Sequence, residues 1–317
     1  MKNTCIVLEL TSIWHFERFS LLGKGKSILK LSLTLLAASL WCLAAQADRL
    51  THIGTFEWPT EAVVGLSGLE VSDDGLTFYA IGDRGWYLSG EFERNGEQIV
   101  GLRLQKYLPI LGNDGLPVSA RRVGDWSDAE GLAIAPDGTY WISFERWAHV
   151  SRYDEPELTG HWIKDHPSFS SYKDNRQLEA LAIHPNGILY AFPEQPLSDG
   201  FPIYRLDGTT WSISGYIQKR NGFSIVGADF DSDGQLYLLE RKLVLGLWWQ
   251  NRVRRLRVDS PESYEILWTG DRGEYNNLEG IAVWRDEVGH RITMVSDNNA
   301  DPQEITQFVE FRLDAVE

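Results

Sequence analysis

Cysteine is almost missing from this chain. Its two copies, Cys5 and Cys42, both fall in the first 47 residues, a stretch that reads as a signal peptide. Lys24, Lys26 and Lys30 precede an apolar run from Leu31 to Leu43, and Ala45-Gln46-Ala47 offers the small-x-small cleavage pattern. Cleavage is the expectation, with Asp48 as the new first residue; left uncleaved, the run would act as an N-terminal anchor. Trp41 before Cys42 is too bulky for lipoprotein processing, which argues against a lipid anchor. Residues 48–317, read as one domain, therefore hold no disulfide, thiol nucleophile or thiolate metal ligand. Their stability has to come from packing and from ions.

Lysine is scarce too. Residues 48–317 carry only Lys106, Lys164, Lys173, Lys219 and Lys242, and 43 acidic side chains stand against 25 basic ones there. Such a surface repels nucleic acid and anionic membranes and suits cations. His52, His149, His161, His166, His184 and His290 show no zinc spacing, although His161 and His166 could reach a site from a loop. No glycine-rich loop opens a helix, which leaves nucleotide binding unsupported, and no amphipathic helix is evident. GLSGL at 65–69 places Gly68 one residue early for a nucleophile elbow, which disqualifies Ser67 as a hydrolase serine.

What is present is repetition. Five segments share one template: Gly or Ala, alternating apolar residues, a turn with Gly, a second apolar strand and a terminal acid. Their unit starts are Gly68, Gly131, Ala180, Gly227 and Gly280, spaced 63, 49, 47 and 53 residues apart. Two further strand-like runs follow most hairpins, for instance 203–206 with 211–217, and 252–258 with 264–268. Four antiparallel strands per unit of this length predict an all-β fold, a five-bladed β-propeller. The run 50–57 would supply the fourth strand of the last blade. A sixth blade is the alternative if the first interval hides a degenerate unit around 104–123. The polar stretches 111–127 and 154–177 read as loops between blades. The tryptophans Trp141, Trp147, Trp162, Trp211, Trp248, Trp249, Trp268 and Trp284 suit packing between blades better than a sugar-stacking surface.

The acids have a pattern of their own. If Asp137-Gly138 forms a two-residue type I′ turn, Glu130 faces Glu145 across the hairpin; Asn186-Gly187 does the same for Glu179 and Glu194. Like charges so placed destabilise a ladder by about 0.2–1 kcal/mol, so a cation is expected between them. In a propeller the strand-start acids Glu130, Glu179 and Glu279 and the strand-end acids Asp83, Glu145, Glu194, Glu240 and Asp297 should meet at one channel mouth. A hard cation such as calcium takes six to eight oxygen ligands of this kind. The alternative is that they cap amides or pair with arginines. Arg84, Arg146 and Arg241 each follow a strand-end acid; they suit a substrate oxyanion or an ion pair between blades equally. Asp229, Asp231 and Asp233, with Gly234 and Glu240, match a calcium-loop expression, but no helices flank them, so a second ion in a hairpin loop is the form that reading takes.

GDRG at 82–85, AEGLA at 129–133, EALAI at 179–183, LEGIAV at 278–283 and SDNN at 296–299 resemble the phytase-like family, that of the "esterase-like activity of phytase". The resemblance implies a periplasmic or secreted bacterial propeller that hydrolyses phosphate or carboxylic esters. In the better understood propeller phytases, mouth carboxylates hold calcium ions that bind substrate phosphate and activate water. Carried over, the ligands would be Asp83, Glu130, Glu145, Glu179, Glu194, Glu240 and Glu279. The shortage of lysine departs from those phytases and weighs against phytate more than against the metal. The expectation is a monomeric, calcium-dependent hydrolase of a small ester or phosphoester. In it Glu130 or Glu179 acts as general base and the three arginines orient the oxyanion. The competing expectation is a non-catalytic periplasmic propeller whose ions are structural and whose mouth binds a ligand or partner protein.

Overall fold

The computed structural model describes residues 49–59, 63, 65–120, 127–172, 176–299 and 304–314; residues 1–47, read above as a signal peptide, lie outside them. Among the described residues the first element is β1 (Leu50–Trp58), and blade 1 follows from β2 (Leu66–Val71), β3 (Thr77–Gly82), β4 (Trp86–Asn95) and β5 (Gln98–Pro109). Blade 2 is β6 (Ala129–Ile134), β7 (Tyr140–Phe144), β8 (His149–Tyr153) and β9 (His161–Ile163). Blade 3 is β10 (Leu178–Ile183), β11 (Leu189–Pro193), β12 (Phe201–Asp207) and β13 (Thr210–Ile217). Blade 4 is β14 (Ser224–Phe230), β15 (Leu236–Val244), β16 (Trp248–Leu256) and β17 (Tyr264–Thr269). Blade 5 is β18 (Asn277–Arg285), β19 (His290–Asp297) and β20 (Thr306–Leu313), completed by β1.

Five four-stranded sheets in this order make a five-bladed propeller, and the six-bladed alternative falls. The long first interval is filled by the ten-residue β4 and twelve-residue β5 of blade 1, and Leu104 lies inside β5. The stretch 154–177 is not all loop either, because it carries β9, the short outer strand of blade 2.

Apolar side chains alternate along the strands and fill the gaps between sheets, giving one core cluster per blade interface. Trp211, Trp268 and Trp284 are buried there, as expected, whereas Trp147, Trp162 and Trp248 are exposed. With no disulfide available, ion pairs lock blade 5 to blade 1. Arg94 of β4 reaches Glu310 of β20 with both terminal nitrogens at 2.8 Å, and Arg291 joins the same carboxylate at 2.8 Å.

The inner hairpins differ from expectation in a way that matters for the site. The β6–β7 connection is a three-residue loop, Pro136-Asp137-Gly138: Ala135 N donates to Thr139 O and Gly138 N to Ala135 O, both at 2.8 Å. Gly138 takes φ +87°, the left-handed conformation that closes such a loop. The register moves by one, and then by one more at a bulge between Ala129 and Leu132. Glu130 therefore does not face Glu145, nor Glu179 Glu194. All five inner hairpins shift register at the same point, which leaves Ser67, Glu130, Glu179, Val226 and Glu279 at the bulges.

The glycines that begin the units sit where neighbouring inner strands nearly touch. A Cβ on Gly280 would lie 2.7 Å from Ser67 O, and one on Gly131 2.7 Å from Leu181 N. Gly280→Ala is expected to destabilise the protein by about 1–3 kcal/mol through overpacking, read by urea or thermal unfolding. Gly289→Ala, with no atom within 4 Å, should change stability by less than about 0.5 kcal/mol.

Candidate functional site

Two residues per blade meet where the inner hairpins open. The pairs are Gly65 with Asp83, Asp128 with Glu145, Gln177 with Glu194, Ser224 with Arg241 and Asn277 with Asp297. Asp83 N donates to Gly65 O at 2.9 Å, Glu145 N to Asp128 O at 2.8 Å and Glu194 N to Gln177 O at 3.0 Å. Two residues along the strand from each pair sits the bulge residue. The mouth thus gathers Asp83, Asp128, Glu130, Glu145, Glu179, Glu194, Glu279 and Asp297, with the guanidinium of Arg241 among the acids of blades 3 and 5.

Blade 4 is the exception. The residue paired with Ser224 is Arg241, not Glu240, so Arg241 takes the place that an acid holds in the other four blades. Glu240 sits one residue earlier and points to the opposite side of the strand. It is fully buried, with Arg252 Nε at 2.7 Å and Arg254 Nη2 at 2.5 Å. Glu240 is thereby excluded from the mouth, where sequence alone had placed it among the metal ligands.

Arg241 is committed as well. It donates to Glu279 and, at 2.6 Å, to Asn277 Oδ1; its Nη2 stands 3.8 Å from Glu194, and its guanidinium lies 5.0 Å from the Trp249 ring centroid. Burial works against its charge, but Glu279, Glu179 and Glu194 together more than reverse that, so it stays protonated. It braces blades 3, 4 and 5 rather than waiting for an oxyanion. Arg146 is on the rim, its Nε donating to Asp128 Oδ2 at 2.9 Å, and Arg84 is exposed beside Asp83.

The other acids lack such neutralisation. Burial pushes Asp83, Glu145 and Asp297 up to about 7, helped by Asp128 at Asp83, by Asp128 and Glu194 at Glu145, and by Glu279 at Asp297. Glu130 and Glu179 rise well above the usual range, first through burial and then through their acidic neighbours. Glu145 shares a hydrogen bond with Glu179, a contact that needs one proton between the two. Among the described residues Glu145 Oε1 and Asp83 Oδ1 are buried with no hydrogen-bond partner.

Metal-binding geometry is present around Glu145, with Arg241 bordering it at Glu194. Ligand atoms of Asp128, Glu130 and Glu145 lie within 4.8 Å of one another, and so do those of Glu145, Glu179 and Glu194. Glu145 belongs to both groups, and its orphaned oxygen is the kind of atom a cation would satisfy. Sequence reasoning missed Asp128. The signal was the residue three before each unit start, which becomes visible once strand pairing is known.

The second proposed loop rearranges. Asp229 Oδ2 accepts from Val283 N of blade 5 at 2.6 Å and Oδ1 from Phe230 N at 2.7 Å, so it pins two blades together instead of joining Asp231 and Asp233. His290 takes its place near those two, and the group lies at the far end of the channel beside a cavity of about 500 Å³. Asp231 is already engaged by Asp233 N, Gln235 N and the Tyr237 hydroxyl.

Two outcomes follow from these charges. Glu240→Gln leaves two buried guanidiniums short of their counter-charge and should cost about 3–5 kcal/mol in unfolding experiments, with divalent-cation affinity at the mouth unchanged. Asp83, Glu145 and Asp297 hold protons more tightly folded than unfolded, so the stability they contribute is complete below about pH 4 and lost as pH rises through about 7. In excess chelator, calorimetry should show Tm falling between pH 5 and pH 8 by on the order of 5 °C. A divalent cation, by displacing those protons, should remove the fall. A chelated protein that gains stability over that range would contradict the assignment.

Comparison with known proteins adds the family. The phytase-like model, described as esterase-like activity of phytase, matches residues 61–300. No curated protein matches the chain significantly. Among solved structures it is similar to a gluconolactonase from Xanthomonas campestris, with 12% identity, a TM-score of 0.45 and coverage of 83% of this chain and 94% of that one. It is similar also to an inactive virginiamycin B lyase from Staphylococcus aureus, with 11% identity, a TM-score of 0.45 and coverage of 83% and 99%. A chain of a nidogen–laminin complex gives 16%, 0.40, 73% and 76%. At these values the structural likenesses say nothing of chemistry. The family match spans most of the sequence and includes every mouth residue named above: the chain belongs to the phytase-like family, a family of hydrolase-type propellers.

Proposed function

We propose that this chain is a periplasmic or secreted, calcium-dependent hydrolase of phosphate or carboxylic esters, working as a monomer on small molecules at the mouth between blades 2 and 3. The observation that carries the reading is Glu145, shared by two carboxylate groups and holding one buried oxygen without a partner. Asp128, Glu130, Glu145, Glu179 and Glu194 would hold the ion. Hard oxygen donors, with no sulfur and no histidine among them, favour calcium over softer metals. When bound, calcium polarises an ester or phosphoryl oxygen and lowers the pKa of a coordinated water.

The chain's own side chains supply the rest. Burial among other acids raises the proton affinity of both Glu179 and Glu130, and whichever of the two is not coordinating the ion would take the proton from water. Arg84 and Arg146, on the rim, are placed to meet a substrate oxyanion; Arg241 instead holds Glu279 and Asn277 still. The crowded acids exclude a highly phosphorylated substrate unless cations screen it, and the scarcity of lysine points to a singly charged or neutral ester.

The test is turnover of short-chain carboxyl esters and phosphomonoesters with calcium and in excess chelator. Chelation should abolish activity and calcium restore it, Glu179→Gln should lower kcat by about a hundredfold or more, and Glu145→Gln should weaken the ion. Turnover indifferent to chelator would overturn the metal's role. No turnover across the panel would favour a binding propeller with structural ions.

A further inference from the structure

The acid mouth has a neighbour of opposite character. Between blades 2 and 3 lies a cavity of about 560 Å³, a size typical of small-molecule sites, lined by Trp147, Trp162, Phe169 and Tyr172 together with Arg146 and Gln177. Two of these residues join it to the mouth. Arg146 follows Glu145 in the chain and its guanidinium rests on Asp128. Gln177 accepts the Glu194 amide on its backbone oxygen at 3.0 Å. Gln177 also ties the two together: its Nε2 donates to Arg146 O at 3.2 Å and its Oε1 accepts from Ala148 N at 2.9 Å.

The aromatic wall is preformed. Phe169 rides on a short 3-10 turn, Pro167–Ser171, which a side-chain chain pins to blade 3: His166 Nδ1 meets Ser168 Oγ at 2.8 Å, Ser168 Oγ meets the Tyr204 hydroxyl at 2.6 Å, and that hydroxyl meets Tyr172 at 2.8 Å. Trp162 donates its indole N–H to Asp165 at 2.8 Å and packs on His149, which in turn stacks on Phe144. Trp147 and Trp162 nevertheless stay 55% and 38% exposed, so apolar surface faces solvent beside a charged centre. A polyphosphate gains nothing from such a wall. A flat ring gains stacking area at reduced entropic cost, because Trp162, Phe169 and Tyr172 are already held in place.

The geometry points to an aromatic subsite: the substrates of this protein carry an aryl or similarly flat apolar group, which lies between Trp147 and Trp162 while the ester or its oxyanion reaches past Arg146 into the mouth. This inference rests on the proposed hydrolase reading for the chemistry, but the binding it asserts is separable from turnover.

Two measurements on the full mature protein test it. The first is equilibrium binding of 2-naphthoate, a non-hydrolysable aromatic carboxylate, against acetate, by calorimetry with calcium present and with chelator. Naphthoate should bind at least about tenfold more tightly than acetate, and Trp147→Ala and Trp162→Ala should each remove most of that advantage. Trp248→Ala, an exposed tryptophan of blade 4, is the control and should bind as the parent does. Equal affinities for the two acids, or tryptophan variants that bind naphthoate normally, overturn the subsite. The second is the ratio of kcat/KM for naphthyl over methyl esters, which should exceed one and collapse in the same two variants; a ratio near one also overturns it. If naphthoate binds through the two tryptophans and no ester is turned over, the hydrolase reading fails and the subsite stands. If esters are hydrolysed without preference, the subsite fails and the hydrolase stands.

Discussion

Five inner strands converge on one axis so closely that a methyl group at the start of most units would collide with the backbone of the next blade. That crowding dictates much of what surrounds it. A strand that cannot carry a side chain toward its neighbour turns the preceding residue elsewhere, and the bulge just ahead of each unit start does so. In three blades the displaced residue is a glutamate. The same register brings a strand-end acid beside it in four blades. The concentration of negative charge at one end of the channel is therefore a by-product of backbone geometry acting on a repeated sequence, and its electrostatic cost is met by protons or by a cation.

The repeat is not symmetric, and its breaks locate the chemistry. Blade 4 contributes Val226 and Arg241 where blade 3 contributes Glu179 and Glu194. Arg241 pairs with Glu279 and stands 3.8 Å from Glu194, so blade 4 compensates part of the negative charge of its two neighbours. Around blades 2 and 3 the two carboxylate groups overlap on Glu145. The aromatic cavity opens on that same side. A charged centre and an apolar cleft side by side make a bipartite site, and the two parts share Arg146 and Gln177 as a common wall.

The fold was legible in the sequence because each unit repeats a hairpin with apolar alternation, and Leu50 to Glu57 announces itself as the missing strand. The mouth was legible at Asp83, Glu130, Glu145, Glu179, Glu194, Glu279 and Asp297 for the same reason. What could not be read was register. A bulge carries no residue signature of its own, so Glu130 and Glu145 looked like partners across a ladder when two shifts separate them. Glu240-Arg241 imitates Glu145-Arg146 letter for letter, yet pairing with Ser224 puts the arginine where the other blades have an acid. The exposed Trp147 and Trp162 were indistinguishable by composition from Trp211 and Trp268, because burial depends on what lies across the gap between blades.

The closing of blade 5 by β1 has a kinetic side. Thr51 bonds Asp314 across 263 residues of chain, so β1 waits for the other described strands before it finds its place. Forming that pairing requires closure of a very long loop, and contacts of such long range slow folding. Once made, the seam joins both ends of the domain in one sheet, with Arg94 and Glu310 riveting it to blade 1. Fraying from either terminus then has to break the same sheet, so resistance to unfolding, and to proteases that need a loose end, resides in blade 5.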